Sequence, residues 1–360
     1  MKIAVIGAGG FIGNRLVEQL HLGSSHAVVP IVRKPWRLAL PARFDLEWRL
    51  GDALDAVSLA KALAGCDAVI HAALGDPRQI EAMPTALTMA AAAAGIRRVV
   101  YLSTASVHGQ APAPGTTETT PLHTSHAMDY NNAKVRAEQG FFHEVARHRL
   151  EGFALRPGVV FGPRSRWITD LAQDLRLGQA WLLNGGSGIC NSIYVDNLGS
   201  AVLSALTAPA AAAGPYLVGD AETITWRDFH HAIALGLGLD PSDIADIDRL
   251  PSFKRSVSAK VRRVVASPGV QSLLPFIPGG LKRTTKQFIA ATQAAPSPNA
   301  WRLPAAPAPR ITEELALLQQ CAWKFPHQPA TDRLGYRPHV SFKEAIARSL
   351  AWFAFAEGRA

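Results

Sequence analysis

The sequence predicts a doubly wound α/β fold, a parallel sheet with helices on both faces, followed by a smaller and discontinuous C-terminal lobe. Three observations predict it. Short β-branched runs alternate with longer helical patterns through the first half of the chain. A glycine-rich turn, Gly7-Ala8-Gly9-Gly10-Phe11-Ile12-Gly13, joins the first such run directly to the first helical pattern. Beyond Gly162 the alternation weakens, and the apolar residues no longer follow a strand-helix rhythm.

Taken in order, Ile3–Ile6 reads as the first strand and begins too early to leave room for a cleaved secretion signal. A helix over Phe11–Leu20 follows, then strands over Ala27–Arg33, Leu46–Leu50 and Ala68–His71. Pro77–Ala94 is the next helix, Val99–Ser103 the next strand, Asp129–Arg149 a long helix and Phe153–Arg156 a further strand. Ser192–Val195 and Tyr216–Val218 are short strands expected to return to the sheet. These readings assign residues 1–163 and 191–224 to a dinucleotide-binding domain, and 164–190 and 225–360 to a substrate domain. Two helix starts are legible in the latter. Thr225 precedes Asp228, and Ser341 stands three residues before Glu344, the spacing of a capping box. The second opens a helix with Ile346, Leu350 and Phe353 on one face, expected to close the chain against the core. The Pro- and Ala-rich stretch Ala294 to Pro309 reads as a connector.

The formal charge of +9 is concentrated. From Arg249 to Thr312 there is no Asp or Glu, while lysines and arginines recur from Arg249 to Arg310. Because these cations are interleaved with apolar residues such as Val264, Leu273 and Phe276, the stretch suits solvated helices, an anionic membrane surface or a cover for a phosphorylated substrate. Nucleic acid is not expected as a partner, since no aromatic stacking run accompanies the charge. No apolar run reaches the roughly 18 residues of a spanning helix. Cys66, Cys190 and Cys321 form neither a metal-spaced pair nor an even disulfide set, so no metal is expected and a reducing cytoplasm fits.

Chemistry concentrates at three places. Glycines at 7, 10 and 13 let a backbone turn tightly and approach a pyrophosphate at the positive end of the first helix. At the end of the second strand, where a ribose hydroxyl would meet an acid, the chain has Arg33 and Lys34. Two cations there suit a 2′-phosphate, so NADP is favoured over NAD. Tyr130 and Lys134 lie four residues apart on one face of the long helix, an arrangement in which the ammonium would favour the phenolate and lower its pKa for proton transfer. Upstream, Ser103 and Thr104 end a strand at the carboxyl edge, where a hydroxyl can hold a substrate oxygen. His71 and His108 have no metal partner at usable spacing and read as structural or pocket-lining, and Trp167 and Trp181 read as core.

As a set these features resemble the extended short-chain dehydrogenase/reductases, the NAD-dependent epimerase/dehydratase group, from Met1 to the final helix. The resemblance implies a Rossmann fold and a small-molecule substrate. It implies that Gly7, Gly10, Phe11, Ile12 and Gly13 hold the dinucleotide, with Asp52 and Ala53 at the adenine and Ala72 and Ala73 beside the loop. It further implies that Thr104, Tyr130 and Lys134 are catalytic, that Lys134 also holds the nicotinamide ribose, and that Pro157 and Val159 flank the nicotinamide. Ile193-Tyr194-Val195-Asp196-Asn197-Leu198 and Leu334-Gly335-Tyr336-Arg337-Pro338 resemble later signatures of the same group.

Departures from the group narrow the chemistry. Members that dehydrate sugar nucleotides place Asp-Glu after the catalytic Thr, whereas Ala105-Ser106 stands here, which argues against a 4,6-dehydratase. Members that grip a nucleotide diphosphate often carry an Arg where this chain has Cys190-Asn191-Ser192. The Arg156-Pro157 pair is similar to the branch that turns over apolar ketones and alcohols. The expectation is therefore a reductase, dehydrogenase or epimerase acting at a carbinol or carbonyl carbon of a sugar nucleotide or a small ketone or alcohol. The alternative is a cofactor-sensing regulatory protein that performs no turnover. A homodimer is compatible with the resemblance.

Overall fold

The computed structural model describes residues 1–253 and 308–358. Its first part runs β1 (Lys2–Ile6), α1 (Phe11–Gly23), β2 (Ala27–Val32), β3 (Arg49–Leu50), α2 (Ala56–Leu63), β4 (Ala68–His71), α3 (Pro77–Ala93), β5 (Arg98–Leu102), α4 (Asp129–His148) and β6 (Glu151–Pro157). After these come β7 (Val159–Phe161), α5 (Arg166–Arg176), β8 (Trp181–Leu183), β9 (Ile189–Cys190), β10 (Ser192–Tyr194), α6 (Val195–Thr207), β11 (Gly214–Val218), β12 (Ile224–Thr225), α7 (Trp226–Gly236) and β13 (Ala245–Ile247). Three further helices, Glu313–Leu318, Gln328–Leu334 and Phe342–Ala356, complete the described chain. Met1–Asp248 and Pro309–Ala360 form one compact unit. The remainder, Arg249–Ala308, is a separate unit that lies almost wholly outside the described residues, as do the expected connector and most of the acid-free stretch.

The main sheet has seven strands in the order β11-β6-β5-β4-β1-β2-β3. Every pairing in it is parallel, from Lys2 against Ala27 to Val218 against Pro157. Strands covered on both faces read as continuous apolar runs, and Ile3–Ile6 and Val99–Leu102 are buried throughout. One core layer lies between the sheet and α1 and α6, with Leu16, Val17, Leu198 and Val202. The opposite layer joins the sheet to α2, α3 and α4 through Leu59, Leu87 and Phe141. The order reverses between β1 and β4, the switch point at which doubly wound sheets open a crevice at their carboxyl ends.

Two strand readings change. Ser192–Tyr194 does not return to the sheet but pairs in parallel with β7, while Gly214–Val218 alone returns, beside β6. The expected strand Leu46–Leu50 shortens to Arg49–Leu50, the part that reaches β2. The α7 capping box forms in full, with Thr225 Oγ1 accepting from Asp228 N at 3.1 Å and the Asp228 carboxylate accepting from Thr225 N at 2.8 Å. At Ser341 only half forms. Its hydroxyl accepts from Glu344 N at 3.3 Å, whereas the Glu344 carboxylate turns outward to Arg348. The final helix packs Ile346 against a third core with Phe161 and Phe229, and that core also takes in α5 and α7.

Burial holds three histidines neutral. It pushes His71 down to about 3, and His108 and His230 each to about 4, from an ordinary value of 6.5. Below pH 6.5 the unfolded chain binds protons that the folded chain refuses, so stability is lost as pH falls from 6.5 toward 4. Thermal melts across that window should show Tm falling steadily with acidification. A flat Tm would contradict this account.

Candidate active site

The crevice at the switch point is built around glycines. Gly7 takes φ of +83°, and Gly7 N and Ala8 N both donate to Ile31 O, at 3.1 and 3.3 Å. A Cβ on Gly7 would stand 2.7 Å from Ala73 N, and one on Gly13 would stand 2.2 Å from Gly7 O. The expected residues Gly7, Gly10, Gly13, Ala72 and Ala73 are thus in one tight cluster. Gly10 caps α1 with no side-chain bond, so the first-turn N–H groups keep their donors for an anion. Phe11 and Ile12 turn inward and are partly buried in two different cores. Asp52 follows β3, beside the end of β2, because Gly51 N donates to Val32 O at 3.1 Å; Ala53 is buried. Arg33 and Lys34 are exposed just beyond β2, Lys34 Nζ lying 5.6 Å from the Trp36 ring centre. A backbone cradle that any Cβ would fill, at an uncapped helix start, fits a dinucleotide pyrophosphate.

Across the crevice, α4 carries Tyr130 and Lys134. Tyr130 lies near Thr104, which stands two residues beyond β5, lowers the phenol's pKa and accepts from Ser106 N at 3.2 Å. Lys134 is buried, donates to Leu102 O at 3.0 Å, and lies 5.2 Å over the Tyr101 ring. Its pKa is pushed down to about 8 by burial, against the raising influence of Glu138. The expectation that Lys134 lowers the Tyr130 pKa is not met in the protein alone. Burial pushes that phenol up to about 12, and Thr104 only partly offsets it. Gln110 and Asn131 pair their buried side-chain amides and fix the loop after Thr104 to the start of α4.

Ser103 does not face a substrate. Its hydroxyl donates to the Glu138 carboxylate at 2.5 Å, and Arg156 Nε lies 3.1 Å from both oxygens of the same carboxylate. Arg156 Nη1 donates to Glu118 O at 3.0 Å and to Nε2 of His108 at 3.1 Å, which requires a neutral imidazole. Both members of the ion pair are buried, and it locks α4 to β5 and β6 directly beneath Lys134. Sequence reading missed Glu138. Its signal was present, since Tyr130, Lys134 and Glu138 recur at i, i+4 and i+8 on one helix face.

A cavity of about 550 Å³ opens from Thr104, Tyr130 and Val159. Trp167 lines it, whereas Trp181 is fully buried with its Nε1 donating to Arg310 O at 3.0 Å. Its far wall comes from residues 310–325, inside the expected substrate domain, although the sequence singled out none of them as site residues. Asn191 pins that wall, its Nδ2 donating to Trp323 O and its Oδ1 accepting from Phe325 N, both at 2.9 Å. Pro157 is buried at the end of β6, and Val159 N donates to Asn191 O at 2.8 Å. Among the described residues no cluster of His, Cys, Asp and Glu could hold a metal, and no helix is long and apolar enough to cross a membrane.

The family described as NAD dependent epimerase/dehydratase matches residues 3–219. A 2-alkyl-3-oxoalkanoate reductase of Stenotrophomonas maltophilia (strain K279a) is 30% identical, over 71% of this chain and 79% of its own. A 3β-hydroxysteroid dehydrogenase/decarboxylase isoform of Arabidopsis thaliana is 24% identical over 97% of this chain and 79% of its own. Among solved structures, dTDP-glucose 4,6-dehydratase from Streptomyces venezuelae with NAD bound superposes with a TM-score of 0.68 at 21% identity, covering 99% of this chain and 98% of that one. At that identity the likeness speaks for the fold alone.

Proposed function

The chain belongs to the NAD-dependent epimerase/dehydratase family, and on that premise we propose that it oxidises or reduces a carbinol or carbonyl carbon in the cavity beside Tyr130. The observation that carries the reading is that Thr104 and Tyr130 line the same cavity wall, with Lys134 one helical turn further on. When bound, the nicotinamide supplies or removes the hydride. Tyr130 gives its phenolic proton to the carbonyl oxygen in reduction and takes it back from the alcohol in oxidation. Thr104 orients that oxygen and steadies the phenol. Lys134 places a positive charge behind the reacting groups and is the residue to hold the nicotinamide ribose. Gly7, Gly10 and Gly13 admit the pyrophosphate to the start of α1. Of the expected substrate domain, Trp167, Leu171, Trp226, Phe229, Leu315 and Leu318 form the substrate side.

A reductase, a dehydrogenase and UDP-glucose 4-epimerases among the relatives weigh against a sensor without turnover. Ala105 is buried and Ser106 follows it, so no acid pair stands beside Thr104 for elimination of water. The test is absorbance of the reduced cofactor on mixing protein with ketones or alcohols. Conversion of a sugar nucleotide with no net absorbance change would make the enzyme an epimerase.

Arg33 and Lys34 support NADPH as the preferred reductant. Replacing both by Ser should weaken NADPH binding about ten- to a hundred-fold in a fluorescence titration and leave NADH nearly unchanged. Equal losses for both dinucleotides would refute the 2′-phosphate role.

A further inference from the structure

Beyond Tyr130, the cavity is walled by pairs of largely apolar side chains from three helices. Trp167 and Leu171 come from α5, Trp226 and Phe229 from α7, and Leu315 and Leu318 from Glu313–Leu318. The Trp226 indole N–H donates to Leu318 O at 3.1 Å, so the ring offers only carbon to the cavity. One polar group in this wall is different. His230 is 1% exposed, lines the cavity and uses Nδ1 to donate to Trp226 O at 2.8 Å. That bond fixes the tautomer, and Nε2 is left a buried lone pair with no partner among the described residues. An unsatisfied buried acceptor beside a cavity calls for a donor brought in by a ligand.

Charge among the described lining residues disfavours a diphosphate. Arg166 is paired with Asp170 and Arg310 with Asp174, and Glu314 adds a third carboxylate to the lining. Asn191 has both ends of its amide engaged by the 323–325 backbone, which fixes the wall in place.

Resting on the oxidoreductase reading, we propose that the substrate is an apolar ketone or alcohol whose far end carries a hydroxyl or N–H that donates to His230 Nε2, and that it is not a nucleotide sugar. Tyr130 then handles one oxygen of the molecule while His230 selects it by another. A substrate that lacks the distal donor leaves Nε2 buried and unpaired, the situation in which sites discriminate most strongly.

The experiment uses the full chain, loaded with NADP⁺ for binding and supplied with NADPH for turnover. Dissociation constants are measured by tryptophan fluorescence, and kcat/KM by cofactor absorbance, for 2-alkanones and ω-hydroxy-2-alkanones of about five to eleven carbons, with UDP-glucose as control. Affinity should rise about four-fold per methylene as the apolar wall is covered. At one chain length the hydroxylated ketone should be preferred about ten- to a hundred-fold. His230→Phe should abolish that preference, and His230→Gln, which offers an acceptor again, should restore part of it. Preferential binding of the hydroxylated ketone without conversion would sustain the subsite and overturn the hydride-transfer reading. Conversion with no hydroxyl preference at any length, or a preference that survives in His230→Phe, would overturn the subsite and leave the chemistry standing. Binding of UDP-glucose as tight as that of the best ketone would overturn the substrate class.

Discussion

Tyr130→Phe is expected to lower kcat by about 10²- to 10⁴-fold while leaving dinucleotide affinity unchanged. The substitution removes one oxygen, the only atom of that side chain with a proton to exchange, and keeps the ring in its place. Lys134 and the glycine cradle are untouched. Single-turnover measurement of hydride transfer beside a fluorescence titration separates the two quantities, and a variant that converts substrate at the parental rate would end the catalytic assignment. The parent's pH dependence follows from the same group. Burial holds the phenol up at about 12, so it is protonated throughout the neutral range and is ready to act as an acid. Alcohol oxidation, which needs it as a base, should therefore rise with pH, whereas ketone reduction should not require alkaline conditions.

Glu138→Leu is expected to destabilise the fold by about 3–5 kcal/mol, because it leaves the Arg156 guanidinium buried without its counter-ion. The double variant Glu138→Leu with Arg156→Leu should recover much of that loss, since two apolar side chains leave no buried charge behind. Chemical unfolding of the four proteins gives the cycle directly. If the single and double variants lose stability equally, the pair is not what holds α4 to β6. A second readout concerns Lys134, whose charge Glu138 favours. With Glu138 replaced, the ammonium should lose its proton at lower pH than its present value of about 8, and the alkaline limb of the rate profile should move the same way.

Legibility in the sequence follows sequence distance. The glycine turn, the strands on either side of it and the Tyr130–Lys134 spacing were readable because each is a local pattern of one turn or one strand. Ser192–Tyr194 was misplaced because a three-residue strand does not say which strand it pairs with, and its partner β7 stands 33 residues upstream. Ser103 was read as facing the substrate because a strand end at the carboxyl edge suggests it. What turns its hydroxyl away is Glu138, on a helix that only the tertiary fold brings near. The cavity wall was out of reach for the same reason. Asn191 fixes residues 323–325 from about 130 positions away, and no periodicity records such a contact.

The late position of that wall has a consequence for how the protein comes into being. On the ribosome, the switch-point crevice with its glycine cradle is complete once β11 has emerged, since every strand of the main sheet lies before Gly219. At that point the cavity still lacks Leu315, Leu318 and Phe325. The apolar wall of the cavity is therefore the last part of the site to be synthesised, after the glycine cradle and Tyr130.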